Sequence, residues 1–282
     1  MKAIIRQLIR TLVLLPLLSA NIAHSLELPL FKKEAEERGY TLPEAFGLSL
    51  GYMSVSQGIN VDSISLSGLG ALDNIGIKTE GGYQESDVLT LKADVWVLPF
   101  LNFYAIGGKL NGYSETTITN VKLFPGLPGD GIEVNEPFKL DLDGYMYGAG
   151  TVIAGGYKSL FALVDASYTK TSLTVIEGEI DSIVISPRIG YDFSRNSDWP
   201  LRAWVGAQYQ NIEQTLSGSI KDLPLGGIPV PDNAKFTVKQ SLANQWNTLV
   251  GAQYEFTPNW VLISELGFGQ RKSFFVTLDA RF

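Results

Sequence analysis

Apolar and polar residues alternate with period two along most of this chain. Over 89–97, Leu89, Leu91, Ala93, Val95 and Val97 share one face while Thr90, Lys92, Asp94 and Trp96 share the other. Successive side chains of a β-strand point to opposite sides, so this is a strand with one apolar and one polar face. The pattern returns with Leu160, Ala162, Val164, Ala166 and Tyr168 against Asp165, Ser167 and Thr169, and with Ile183, Ile185, Ile189 and Tyr191 against Ser186, Arg188 and Asp192. Leu201, Ala203, Val205, Ala207 and Tyr209 oppose Arg202, Gln208 and Gln210, and Trp246, Val250, Ala252, Tyr254 and Phe256 oppose Asn247, Gln253 and Glu255. Strands are expected over 45–56, 88–97, 102–112, 144–154, 159–169, 182–193, 201–212, 245–256, 260–269 and 274–282. That is about ten, each near the length a tilted membrane strand needs, with eight or twelve as alternatives. The one helical candidate, 30–38, is ended by Gly39 and Pro43.

A soluble sandwich alternates in the same way, with its apolar face turned inward. Two features favour a membrane barrel. Aromatic residues sit near strand ends, at Phe193, Trp199, Phe256, Trp260 and Phe282 on one side and Tyr113, Tyr168 and Tyr209 on the other, as interface girdles require. Connections also alternate in length: tight turns at 98–101, 155–159 and 257–259 contrast with long excursions at 57–87, 113–143, 170–181 and 213–244, while 270–273 is short. Short periplasmic turns and long external loops give this asymmetry, and an even strand count leaves both ends of the barrel on the periplasmic side. The expected fold is an all-β, closed antiparallel transmembrane β-barrel, because only closure satisfies every backbone group in hydrocarbon.

At the end of the chain, Phe274, Val276, Leu278, Ala280 and the terminal Phe282 line one face of the last strand. This segment resembles the C-terminal strand by which Gram-negative outer-membrane β-barrel proteins are recognised for assembly. The resemblance implies an assembly signal at Phe274, Val276, Leu278 and Phe282, with the barrel assembly machinery and outer-membrane lipid as partners. It reaches no particular subfamily.

The N-terminus agrees with export. Lys2, Arg6 and Arg10 precede an apolar run at 12–18 and small residues at Ala23 and Ser25, the layout of a secretory signal peptide. Cleavage is expected after Ser25, dividing the chain into a leader (1–25), a periplasmic segment with a candidate short helix (26–44) and the barrel (45–282). The segment 31–38 is either a periplasmic stub or a plug entering the lumen from below.

Composition then removes several classes of function. Only 18% of residues are charged, the net charge is −7, and no basic face exists for nucleic acid. There is no cysteine, and the single histidine, His24, belongs to the leader. The known enzymes among outer-membrane barrels rely on histidine as a base, so no catalytic residue is assigned and no enzyme is expected. Asp141 and Asp143, and the acids of 130–136, lack the spacing of a calcium loop, so no metal or cofactor is called for.

Strand parity sends ten charges inward: Lys92, Asp94, Asp165, Arg188, Asp192, Arg202, Glu255, Glu265, Asp279 and Arg281. Such a set forms either an ion-pair ladder filling the lumen or the wall of a narrow wet path. Gly144, Gly148, Gly150, Gly190, Gly206, Gly251, Gly267 and Gly269 fall on the same face, and either leave a thin passage or relieve crowding where strands curve. The proline-broken apolar tips at 123–129 and 223–229 fold over the mouth, meet a partner, or join strand extensions. The function expected is a narrow passive conduit for small solutes with a mild cation preference. The alternative is a non-channel barrel that binds an unknown surface ligand through its external loops.

Overall fold

The structure, a computed structural model, describes residues 28–70, 73, 75–122, 131–174, 176–220 and 231–282. The leader 1–25 and the tips 123–129 and 223–229 lie outside the described residues. One short helix, α1 (Lys32–Glu37), precedes a single antiparallel sheet. Its strands are β1 (Phe46–Ser67), β2 (Gly76–Leu98), β3 (Leu101–Lys122), β4 (Ile132–Asp141), β5 (Gly144–Tyr157), β6 (Leu160–Leu173), β7 (Glu177–Asp192), β8 (Leu201–Ser219), β9 (Lys235–Leu242), β10 (Trp246–Thr257), β11 (Trp260–Phe268) and β12 (Arg271–Arg281).

Ten of these close a ring in the order β1, β2, β3, β5, β6, β7, β8, β10, β11, β12 and back to β1. The seam runs from Gly47 opposite Arg281 up to Gln57 opposite Arg271. At its foot Phe46 and Phe282 exchange reciprocal backbone bonds of 3.0 Å, and their rings stack 6.3 Å apart. No edge is left open at this level, which is the condition for a sheet in hydrocarbon.

The outward face carries the apolar half of the alternation. Leu50, Ile189 and Val205 are each more than half exposed, at 56%, 57% and 54%, an exposure that only a lipid surroundings makes favourable. Exposed Tyr157, Trp199, Phe256, Trp260 and Phe282 mark the end with the short turns. Tyr52, Tyr145, Tyr168, Trp246 and Phe274 mark the other, where Tyr52 and Tyr168 donate to the carboxylates of Asp87 (2.7 Å) and Asp181 (2.5 Å). Tyr113 lies above this girdle, hydrogen-bonded to Glu85 and capped by the Lys139 ammonium. The barrel is of the outer-membrane type, with its short turns on the periplasmic side.

Beyond the outer girdle most of the expected loop length is strand. β1, β2, β3 and β8 continue past the membrane, and β4 and β9 are additional strands that pair with them. β4 descends along β3 and leads, through Leu142 and Asp143, into β5, while β9 descends along β8 and leads into β10. The β11–β12 hairpin turns at Gly269, whose φ of 121° suits glycine. Above it β1 exchanges β12 for β9, from Gln57 opposite Arg271 to Ile59 opposite Leu242. Two strands thus drop out of the wall above the membrane.

There the polarity of the strands inverts. Phe236 and Val238 of β9 point inward and are buried, while Lys235 and Lys239 point to water. Phe138, Leu140, Leu142, Val88, Leu110, Leu216 and Ile220 join them in one apolar cluster, with Phe138 and Phe236 edge to face at 6.0 Å. Each such side chain contributes about 1.5–3 kcal/mol by leaving water. The cluster fills the outer part of the lumen and forms its roof, with Val88 and Leu110 reaching down into the wall of the space below.

The lipid-facing assignment predicts that Leu91→Arg, on the outward face of β2, destabilises the folded barrel by about 2–4 kcal/mol. Urea titration in phospholipid vesicles measures this; an unchanged midpoint would place Leu91 away from lipid.

Candidate functional site

Below the roof the lumen holds a cavity of about 1260 Å³. It runs from the periplasmic turns, at Pro99, Phe100, Lys158 and Pro258, up to Gln84 and Gln214. Nine of the ten parity-assigned charges line it. The exception is Asp94, whose side chain is fully buried behind Arg281.

The charges sit in tiers because adjacent strands are staggered. In the tier nearest the periplasm Arg281 spans two carboxylates, donating to Asp94 (2.9 and 3.3 Å) and to Asp279 (2.9 Å). Ser49 donates to Asp279 at 2.6 Å, Asn102 to Asp94 at 2.7 Å, and Lys92 stands 3.8 Å from Asp94. Gly47 makes room for this network, since a Cβ there would fall 2.4 Å from the Asp94 carboxylate. On the same side Arg202 pairs with Asp192 at 2.9 Å.

The middle tier crosses the barrel. Arg188 on β7 grips Glu265 on β11 through Nε and Nη2, at 2.7 and 3.0 Å, and the Trp204 indole donates to the same carboxylate at 2.8 Å. Bidentate geometry and an added neutral donor make this a strong buried pair. Opposite, Tyr104 donates to Asp165 at 2.8 Å. Of the two outcomes left open by the sequence, the paired bridges are present, and an unfilled cavity lies beside them. Asp165 and Glu255 line that cavity without an ion-pair contact among the described residues.

The inward glycines of this tier are not gaps. A Cβ on Gly251 would meet the Trp204 indole at 2.4 Å, on Gly190 the Phe161 ring at 2.4 Å, on Gly150 the Tyr104 ring at 2.4 Å, and on Gly206 the Arg188 stem at 2.9 Å. Each is a slot occupied by a neighbouring strand, so these four glycines relieve crowding, one of the two roles expected of them.

The uppermost tier is made of amides. Gln214 on β8 donates across the lumen to Gln84 on β2 at 3.1 Å, and Gln240 on β9 donates to Ser114 on β3 at 3.5 Å. Arg271 on β12 lies among Gln57 and Gln208. None of these, nor Trp204, belongs to the set assigned from the sequence. Arg271 was legible by parity, since Arg271, Ser273 and Phe275 share the inward face with Asp279 and Arg281. Starting the last strand at Phe274 hid it.

The periplasmic mouth is crossed by the N-terminal segment. Leu30 donates its amide to Val97 O (2.9 Å), the Tyr40 hydroxyl donates to Gly156 O (3.1 Å), and Arg195 donates to Gly39 O (3.4 Å). These anchors lie on three different turns, and Phe31, Glu34, Ala35 and Arg38 between them face the cavity. The segment is a strap over the opening, neither a free stub nor a plug deep in the lumen. Its helix is six residues long, buries nothing and has no side-chain cap, so its own stability is small.

No family model matches this sequence, and no curated protein matches it either. The chain is similar to the transport unit of the autotransporter AIDA-I from Escherichia coli, at 12% identity over 84% of this chain and 90% of that one, with a TM-score of 0.39. It is also similar to the outer membrane protein OprG from Pseudomonas aeruginosa, at 11% identity over 86% and 98% of the two chains, with a TM-score of 0.40. The toluene transporter TodX from Pseudomonas putida is a more distant likeness, at 9% identity over 84% and 88%, with a TM-score of 0.29. At such scores the site is read from its own geometry.

Proposed function

We propose that the barrel is a narrow conduit for small solutes across the outer membrane, closed at its outer face by the apolar roof and narrowed at its inner mouth by the strap. The observation that carries this reading is the cavity itself. About 1260 Å³ of space, with Lys92, Asp165, Arg188, Glu255 and Glu265 in its lining, reaches from the periplasmic turns up to Gln84 and Gln214. A lumen meant only for stability would be filled by side chains, as a ring of about eight strands permits. The amide bridge is weakly held by comparison with the ion pairs below, since the Gln240 to Ser114 bond is 3.5 Å long, and the roof side chains meet through apolar contact.

The cation preference in this reading is slight. Arg188, Arg202 and Arg281 already neutralise Glu265, Asp192, Asp94 and Asp279 in part, which leaves Asp165 and Glu255 as the acids facing the water path. The strands that rise above the membrane favour a second reading, a surface platform for a ligand. The two readings separate in planar bilayers.

The conduit predicts discrete steps for the closed, heat-modifiable barrel, and larger ones when the roof is loosened by Phe138→Ala with Phe236→Ala. Silence from both proteins would end the conduit reading and leave the platform. Removal of residues 28–39 is expected to raise the open conductance without changing selectivity; an unaltered conductance would show that the strap does not obstruct the path. Glu255→Gln should lower the cation selectivity read from the reversal potential, with little effect on stability. Glu265→Gln should instead cost about 3–5 kcal/mol, because it strands the buried Arg188 guanidinium. Equal stability of these two variants in urea titration would refute the assignment of Glu265 as a structural bridge.

A further inference from the structure

The amide tier holds a charge that no carboxylate among the described residues balances. Arg188, Arg202 and Arg281 each contact a carboxylate within 3 Å. Arg271 is 3% exposed and donates only to neutral acceptors: Nε to Gln57 Oε1 at 2.9 Å, Nη1 to Gln208 Oε1 at 2.9 Å and Nη2 to the Asn244 carbonyl at 3.5 Å. Among the described residues no carboxylate lies within ion-pair distance of it. A guanidinium withdrawn from water without a counter-charge is costly, and three of its five N–H groups are used here. It borders the cavity, so the remaining donors are within reach of a solute.

A second observation concerns the same tier. Gln214, also 3% exposed and also on the cavity wall, leaves its Oε1 without a hydrogen-bond partner among the described residues, and Asn247, in register with Gln208 but set back from the cavity wall, leaves both amide atoms unpaired among them. A buried amide oxygen needs a donor, and this one faces a cavity from which a water or a solute hydroxyl can supply it. The tier thus combines one fixed positive charge with an orphan acceptor and an orphan amide.

We propose that this tier is a binding station for a small organic monocarboxylate bearing hydroxyl groups, of the size of a sugar acid. The carboxylate takes the free donors of Arg271, and a hydroxyl donates to Gln214 Oε1. A planar guanidinium fork suits a carboxylate. The ten inward charges lower in the lumen comprise six acids and four bases, and beside that excess of negative charge a single arginine favours a monoanion over phosphate or a dicarboxylate. The station names a substrate class for the conduit proposed above, whose preference among unbound ions stays slightly cationic away from Arg271, and only its role in passage rests on that reading.

The test is isothermal titration of the full barrel in detergent with sodium gluconate, glucose and inorganic phosphate, on the wild type, Arg271→Gln and Arg271→Lys. Heat-modifiable mobility confirms closure of each protein. Gluconate is expected to bind the wild type, about tenfold or more weakly Arg271→Gln, and at an intermediate level Arg271→Lys, which keeps the charge but loses the fork. Glucose should bind weakly and equally to all three. Gluconate affinity unchanged in Arg271→Gln, or phosphate binding as tightly as gluconate, would overturn the proposal. Should Arg271→Gln fail to close, the comparison of Arg271→Lys with the wild type decides the same point. Liposome swelling in gluconate separates the two proposals. Arg271-dependent binding without any flux would sink the conduit and spare the station, whereas flux with no Arg271-dependent binding would do the reverse.

Discussion

Backbone hydrogen bonding in hydrocarbon is the constraint from which the rest of this molecule follows. With no water to accept or donate, each peptide group of the ring must find its partner on a neighbouring strand. That requirement joins residue 46 to residue 282, fixes an antiparallel register around ten strands, and decides which side chains face lipid. Once the outward positions are given to Leu, Ile, Val and aromatic residues, every polar or charged residue of the alternation has only the lumen left to occupy. The lumen is accordingly the polar core of an inside-out protein.

A polar core must satisfy its own members, and the three tiers do so by different means. The lower and middle tiers use ions, with Arg281 and Arg188 tying β12 to β2 and β7 to β11 across the sheet order. Aromatic rings lie flat over glycine on the neighbouring strand, which lets Trp204, Phe161 and Tyr104 fit inside so small a ring. The upper tier relies on neutral amides and leaves several valences open. Ion pairs dominate the lumen near the periplasm, while amides and hydrocarbon dominate toward the outer surface, so the kind of interaction that holds the interior changes along the barrel axis.

How much of this was legible follows from where the strands lie. The ten membrane strands could be read directly, because lipid outside and charges inside keep the period-two pattern intact from Phe46 to Phe282. Above the membrane the same strands read as loops. In β9, Lys235 and Lys239 face water while Phe236 and Val238 face in, the arrangement of a soluble protein, and nothing in the sequence marks the level at which the sign reverses. β1 adds a register shift between Val61 and Ser63, so Ile64 and Leu66 leave the parity set by Gly47 and Ser49. The lumen charges were assigned by parity alone; their partners, such as Glu265 for Arg188 across 77 positions of sequence, depend on stagger that no local pattern contains. Arg271 was hidden by a strand start placed three residues late.

The seam between the first and last strands has a consequence for how the chain comes to be folded. Because the membrane-spanning half of β1 has no neighbour on one side until β12 arrives, the ring closes only when the last strand is in place. Contacts of such sequence separation are the slowest to form, and a half-built sheet exposes both an unpaired edge and a broad apolar face. The chain must therefore cross the periplasm as an unclosed polymer, protected from its own kind, and acquire its stability in a single late event at the membrane, when Phe282 meets Phe46.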